Sequence, residues 1–163
     1  MDLNLRSYPI RKTGKYTYWF KTEYGDEYKC YFISSSSYFY KFPDIADNFF
    51  EFYLELQAPI ARSSAVDKRI AVTVAQIIGK FLSTKINAVL YTCDPSEGKG
   101  AARARKFRTW YNYFENYSDK FFRLSVDVDA GGIILFTALL IHKKNKLIDR
   151  FVEAYLDFVK DEP

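Results

Sequence analysis

The sequence has few of the side chains that metal sites and covalent catalysis most often use. One histidine, two cysteines and one methionine occur among the 163 residues. The cysteines, Cys30 and Cys93, lie far apart without metal-ligand spacing, and His142 does not complete a usual zinc pattern with them. We therefore predict a protein with reduced thiols and no metal site.

Long apolar runs are also missing. No stretch approaches the roughly 18 apolar residues that a membrane-spanning helix needs. The first residues, MDLNLRSYPIRKTGK, contain no apolar segment of signal-peptide length. The sequence therefore predicts a cytoplasmic protein that does not enter a membrane.

Aromatic side chains, in contrast, are abundant. The chain has 14 Tyr and 15 Phe, and hydrophobic residues make up 48% of it. Such a composition is too apolar for a disordered chain, and aromatic burial should dominate the energetics of the core. The length is that of one ordinary domain, so we expect residues 1–163 to form a single domain.

Two hydrophobic periodicities indicate the elements of the fold. Apolar residues at every second position, or short aromatic and β-branched runs, predict strands at 15–20, 27–33, 48–57, 86–93, 121–128 and 133–141. Apolar residues at helical spacing predict helices at 65–82, from 97 or 99 to 115, and 145–159. A short extended piece is expected at 39–43. The order β-β-β-α-β-α-β-β-α predicts an α+β fold with helices packed on a mixed, mostly antiparallel sheet.

The predicted helix after strand 86–93 opens with a run of bases. No acid occurs between residues 99 and 108, and the bases are Lys99, Arg103, Arg105, Lys106 and Arg108. Cations near a helix N-terminus oppose the helix dipole, and violations of such a local rule tend to mark function. Together with Gly98, Gly100 and the free N–H groups of the first turn, these bases suit a phosphate. The pattern predicts a basic helix face for nucleic acid, a nucleotide or an acidic protein.

A plainer interpretation of the same run stays open. The bases can simply solvate the outer face of the helix, or pair with the acids of the C-terminal helix. Charge runs are usually solvated faces, and the net charge of the whole chain is only +4.

Cys93 is a candidate nucleophile because it lies where a strand passes into the basic helix, a position at which the helix dipole can lower a thiol pKa. A catalytic cysteine also needs a base, and His142 is the one imidazole in the chain. The alternative is a small buried apolar residue, which is the commoner role of a free cysteine.

Two resemblances extend these predictions. The segments DKRIAVTVAQIIGKF, LYTCD and ARARKFRTWY resemble a family of short bacterial proteins of unknown function. The order of elements resembles the core of the GNAT acyltransferases, without their first strand and helices and with an added C-terminal helix. This second resemblance implies an N-acyltransferase that uses acetyl-CoA, with Tyr111 or Tyr113 in the position of the general acid.

The connection QAPIARSSAVDKR departs from the GNAT pattern. Those enzymes bind the pyrophosphate of CoA with a glycine-rich loop at this point, and the connection here has no glycine. The GNAT resemblance therefore implies a degenerate cofactor site, where Arg62, Ser63 and Ser64 would meet a phosphate.

Two hypotheses follow. The first is an interaction module without a cofactor, which uses its basic helix face to bind a phosphate-bearing or acidic partner. The second is a divergent GNAT-like acyltransferase with acetyl-CoA near 62–68. Either hairpin would present a sheet edge that allows a homodimer.

Overall fold

A mixed sheet is the framework of the fold. The structure is a computed structural model that describes residues 5–57, 67–93, 100–115 and 119–161. In these ranges the strands are β1 (Ile10–Lys12), β2 (Thr17–Lys21), β3 (Glu27–Ser34), β4 (Phe49–Leu56), β5 (Ala88–Cys93), β6 (Phe121–Ala130) and β7 (Ile133–His142). They form one seven-stranded sheet in the order β1-β2-β3-β4-β5-β7-β6. Neighbouring strands are antiparallel except β4 and β5, which are parallel. The predicted α+β class with a mostly antiparallel sheet is confirmed.

Helices cover the sheet on both faces. The helices are α1 (Lys68–Phe81), α2 (Gly100–Glu115) and α3 (Ile148–Asp161). α1 and α2 pack on the face that carries the aromatic residues of β2 to β4, whereas α3 packs on the opposite face, over β6 and β7. The two helical layers therefore have separate hydrophobic cores, joined through the sheet.

β5 contributes to both cores because its side chains alternate between the faces. Val89, Tyr91 and Cys93 lie in the core under α1 and α2, and Ala88 and Leu90 lie in the core under α3. All five of these side chains are at most 5% exposed. This strand is the buried interior strand that its apolar run predicted.

Aromatic contacts dominate the core under α1. Phe81, at the end of α1, stacks on Phe32 with ring centroids 3.9 Å apart. The same ring meets Phe50 edge-on at 5.0 Å and Tyr16 at 5.7 Å. Aromatic pairs of this kind stabilise a fold by more than the area they bury. Phe81 therefore packs the end of α1 against β3, β4 and the segment before β2.

The start of α1 is capped by a carboxylate. Asp67 accepts a hydrogen bond from the backbone N–H of Arg69 at 3.0 Å, and the Tyr8 hydroxyl donates to the same carboxylate at 2.5 Å. The Asp67 cap places the start of α1 at Lys68.

Two details differ from the sequence-based expectation. β1 was not predicted, because its three residues, IRK, are exposed and carry no apolar alternation. The extended piece expected at 39–43 is wrong, because Ser36–Phe39 forms a 3-10 helix. That turn places the Phe39 ring in the core, stacked 3.6 Å from the ring of Phe49, a long-range contact that local propensity does not reveal.

The role of Phe81 gives the first prediction. We expect Phe81→Ala to lower the free energy of unfolding by about 3–5 kcal/mol, because it removes a buried ring from three aromatic contacts. Tyr40→Ala, at a side chain that is 73% exposed, should change it by no more than about 0.5 kcal/mol. Urea unfolding followed by circular dichroism measures both, and equal losses would contradict the assignment of Phe81 to the core.

Candidate anion-binding site

Part of the basic face of α2 lies over a cavity. The cavity has a volume of about 220 Å³ and separates α2 from the sheet. Ala101, Ala104, Arg105 and Arg108 form its helical wall, and their spacing places them on one face of α2. The sheet side is lined by residues of β5, β6 and β7, namely Tyr91, Cys93, Arg123, Ser125, Asp127, Phe136 and Thr137.

β6 brings a third arginine to this cavity. Its residues alternate, so that Leu124 and Val126 pack toward α3 while Arg123, Ser125 and Asp127 line the cavity. β7 lies between β5 and β6 in the sheet. The long side chain of Arg123 therefore spans β7 to reach the hydroxyl of a tyrosine on β5.

Arg123 is held in place by two tyrosines. Its Nε and one terminal nitrogen donate to the Tyr91 hydroxyl oxygen at 3.2 and 3.1 Å. The guanidinium carbon lies 5.3 Å from the centre of the Tyr111 ring, and the Tyr111 hydroxyl donates to the backbone oxygen of Phe121 at 3.1 Å. A guanidinium has five N–H donors, and Tyr91 is the acceptor for Arg123 within the described part of the chain. Donors therefore remain for a ligand.

The arginines around the cavity form no ion pair with a described carboxylate. No carboxylate of the described ranges lies at ion-pair distance from Arg105, Arg108 or Arg123. Among the described lining residues Asp127 is the acid, which leaves three positive charges against one negative charge, or +2. The site is thus locally cationic, although the whole chain carries only +4.

The arginine charges affect the pKa of Tyr91, whose side chain lines the sheet side of the cavity. Burial raises the pKa of the Tyr91 hydroxyl, and the charges of Arg123 and Arg108 partly oppose this by lowering the same pKa. The cationic groups are therefore close enough to stabilise a negative charge at the position of this oxygen.

The five bases predicted as a site do not all meet here. Arg105 and Arg108 line the cavity. Arg103 is half-buried and lies near Cys93, where its charge partly opposes the rise in the thiol pKa that burial causes. The Lys106 amine lies 5.1 Å from the centre of the Trp110 ring, and Lys99 lies outside the described residues.

The expected alternative, that these bases pair with the C-terminal helix, does not fit the fold. α3 lies on the other face of the sheet. Its charges have local partners, since Arg150 binds Asp44 at 2.9 Å and Glu153 at 3.1 Å, and Asp157 lies 3.6 Å from Lys41.

The geometry does not bring Cys93 and His142 together. Burial raises the pKa of the Cys93 thiol, although Arg123 and Arg103 lower it, so the protonated form is favoured at neutral pH. Cys93 pairs with Phe136, and His142 lies six residues farther along β7, about 20 Å away. A catalytic role for Cys93 or Tyr111 stays a prediction, and the Tyr113 side chain lies outside the described part of the structure.

Arg123 and Tyr91 were missed as site residues by sequence reasoning. A signal was present in the alternation of β6, where one face reads Phe121, Arg123, Ser125, Asp127. A polar strand face that is covered by a helix indicates a cavity or a ligand. The sequence alone does not show that α2 covers this face of β6, so the signal could not be used.

A model of a family of unknown function, DUF6169, matches residues 66–157. The chain belongs to this family. The match covers more than half of the chain and includes all the cavity-lining residues. It confirms the resemblance to a family of unknown function. A search of curated proteins gave no match.

None of the described helices is long and apolar enough to cross a membrane. The described side chains also contain no group of three or more His, Cys, Asp or Glu arranged to hold a metal ion.

The hydrogen bonds at Tyr91 give the second prediction. Tyr91→Phe should lower the free energy of unfolding by about 1–2 kcal/mol, because hydrogen bonds to a charged group are stronger than neutral ones and the half-buried Arg123 would lose its acceptor. Tyr18→Phe is the matched control, since Tyr18 is equally buried, at 4% exposure, and its hydroxyl has no described partner. Chemical denaturation compares the two, and equal effects would contradict a structural role for the Tyr91–Arg123 contact.

Proposed function

We propose that this protein is a binding module whose cavity under α2 takes a phosphate group of a nucleotide or nucleic acid. The observation that carries the proposal is the convergence of Arg105, Arg108 and Arg123 on one recess without an ion pair to the described carboxylates. A terminal phosphate, which is a dianion, would offset the local charge of +2, whereas a phosphodiester of a nucleic-acid backbone would offset half of it. The terminal phosphate is therefore the better match in charge, and both groups offer oxygens that accept from the guanidinium donors.

Arginine chemistry favours phosphate. The planar guanidinium presents paired N–H donors that match phosphate oxygens, and it is less strongly hydrated than an ammonium group. Arg123 is already oriented by Tyr91 and Tyr111, so little side-chain entropy remains to be lost when a ligand binds. Arg105 and Arg108 are exposed and would close on the ligand from the helix.

The shape of the site favours a phosphate over an acidic protein surface. Arg123 lies on the sheet, beneath the level of α2, and is half-buried. A single tetrahedral group can enter a recess of about 220 Å³, whereas the carboxylates of a folded protein surface would reach only Arg105 and Arg108 at the rim.

The third prediction tests the cavity directly. Fluorescence anisotropy of labelled single-stranded and duplex oligonucleotides should show binding that weakens steeply between low and near-physiological salt. Arg105→Ala combined with Arg108→Ala should weaken it at least about tenfold, because each lost phosphate contact removes charge neutralisation. Unlabelled ATP, added as a competitor, should displace the oligonucleotide if the cavity takes one terminal phosphate.

A control with the same charge change separates the cavity from general electrostatics. Arg11→Ala combined with Lys21→Ala also lowers the net charge from +4 to +2, but on the edge strand β1 and its neighbour β2. This variant should bind like the wild type. No binding at low salt would contradict a phosphate-bearing partner, and equal losses in the two double variants would contradict the cavity as the site.

One feature supports the acyltransferase alternative. The parallel strands β4 and β5 are paired over only three positions, Phe49 to Glu51 against Ala88 to Leu90, although both strands continue beyond them. In open sheets, ligands bind at the carboxyl ends of such strands. Phe107 of α2 spans this opening, with its ring 6.3 Å from Phe52 and 4.4 Å from Tyr91.

The start of α1 weighs against acetyl-CoA. The Asp67 carboxylate already accepts from the first turn of α1, so a negative charge stands where a pyrophosphate would bind. The preceding connection, 58–66, lies outside the described residues. The alternative predicts saturable acetyl-CoA binding in calorimetry that Ser64→Pro weakens and the Arg105→Ala, Arg108→Ala pair leaves unchanged. Absence of saturable binding would contradict it.

A further inference from the structure

A second recess lies at the opposite end of the same sheet face. Its volume is about 690 Å³, and it is formed where the C-terminal half of α1 meets the start of β6 and the end of β7. Its polar lining combines one imidazole, three lysines, one acid and two uncharged side chains, namely His142, Lys85, Lys120, Lys144, Asp119, Gln76 and Ser83. None of these residues belongs to the cavity under α2.

His142 is a buried residue, and one of its ring nitrogens has no hydrogen-bond partner among the described residues. The residue is only 7% exposed, and its Nδ1 accepts a hydrogen bond from the backbone N–H of Lys144 at 3.0 Å. In the neutral ring the proton therefore resides on Nε2. Within the described ranges Nε2 has no hydrogen-bond partner, and the ring forms part of the recess wall.

The charges around His142 are predominantly positive. Lys85 approaches from the turn after α1, Lys120 from the turn before β6, and Lys144 from the turn after β7. Asp119 is the acid in the described lining, so the lysines and this acid together give 3 − 1, or +2. Burial lowers the pKa of His142 and the three lysine charges lower it further, so the ring is held neutral among cations.

The backbone at Lys85 is unusual. Its φ is +62°, and it is the one non-glycine residue with positive φ in the described part of the chain. Such conformations cost free energy for a residue with a side chain, and they persist where the surrounding structure enforces them. Here the conformation places a lysine on the wall of the recess.

We propose that this recess binds a phosphate dianion, either inorganic phosphate or a small phosphomonoester, through Lys85, Lys120, Lys144 and the Nε2–H of His142. The anion would supply the acceptor that Nε2–H lacks and would neutralise the local charge of +2. The proposal does not depend on the cavity under α2, because the two sites share no residue.

The lone imidazole makes the proposal measurable. His142 is the single histidine of the chain, so the Hε1 proton of its ring gives one pH-dependent NMR signal whose residue is known without assignment. A bound dianion favours the charged form of a neighbouring ring and raises its pKa. By linkage, a rise of about one unit corresponds to about tenfold tighter binding of the anion to the protonated protein.

The test compares the pKa of His142 in sodium sulfate with that in sodium chloride at the same ionic strength. Sulfate is a suitable probe because it stays a dianion across the titration. In chloride the pKa should lie below its ordinary value of 6.5. In sulfate we expect it to rise by about one unit, with saturation. Inorganic phosphate and phenyl phosphate, compared at one fixed pH, then show whether the recess prefers the free ion or an ester.

Two variants separate a bound ion from simple screening. Lys85→Asn combined with Lys144→Gln should raise the pKa in chloride, since two repelling charges are removed, and should abolish the response to sulfate. Asn is used at position 85 because it tolerates positive φ. Arg105→Ala combined with Arg108→Ala should leave the response intact, which distinguishes this site from the proposed function. The proposal would be overturned if the pKa of His142 were the same in sulfate as in chloride, or if the rise in sulfate persisted in the double lysine variant.

Discussion

The fold depends on the burial of β5 on both faces. This strand is parallel to β4 and antiparallel to β7, so it joins the N-terminal and C-terminal parts of the sheet. A parallel pair needs a crossover, and α1 in that crossover covers one face. On the same face, α1 leaves part of the sheet near β5 uncovered, and α2, the next described element after β5, covers it. Covering the opposite face then requires α3, whose Phe151, Ala154 and Tyr155 are fully buried there.

The candidate site is a consequence of how α2 meets the sheet. Phe107, Trp110 and Tyr111 anchor α2 against the core, which orients the face with Arg105 and Arg108 toward β6. The sheet face beneath is polar at that point, so helix and strand do not close on each other and a recess remains. Arg123 crosses β7 to Tyr91 because the order β5-β7-β6 separates the two by one strand. Cationic side chains that would repel one another are thereby held in one place, and such a local conflict tends to mark a functional site.

Much of this arrangement could be predicted from the sequence, and the rest depended on long-range contacts. The strands with clean alternation and the amphipathic helices were predicted within a few residues, because each buries one face. β1 escaped prediction since its three residues are exposed and show no apolar alternation, and the turn at Ser36–Phe39 is determined by the stacking of Phe39 on Phe49. The bases of α2 were visible as a run, but which of them share a cavity depends on the rotation of the helix. Arg123 lies fifteen residues beyond Arg108 in sequence and joins it only through the sheet order.

The most direct test of the central claim observes the arginine side chains themselves. Heteronuclear NMR resolves the Nε–Hε groups of arginines, and substitution by lysine assigns each signal. Titration with inorganic pyrophosphate should shift the signals of Arg105, Arg108 and Arg123 together and saturably, while those of Arg11 and Arg150, which lie in ion pairs elsewhere, stay in place. Shifts of similar size at all arginines, or no shift at Arg123, would contradict a phosphate site in the cavity under α2.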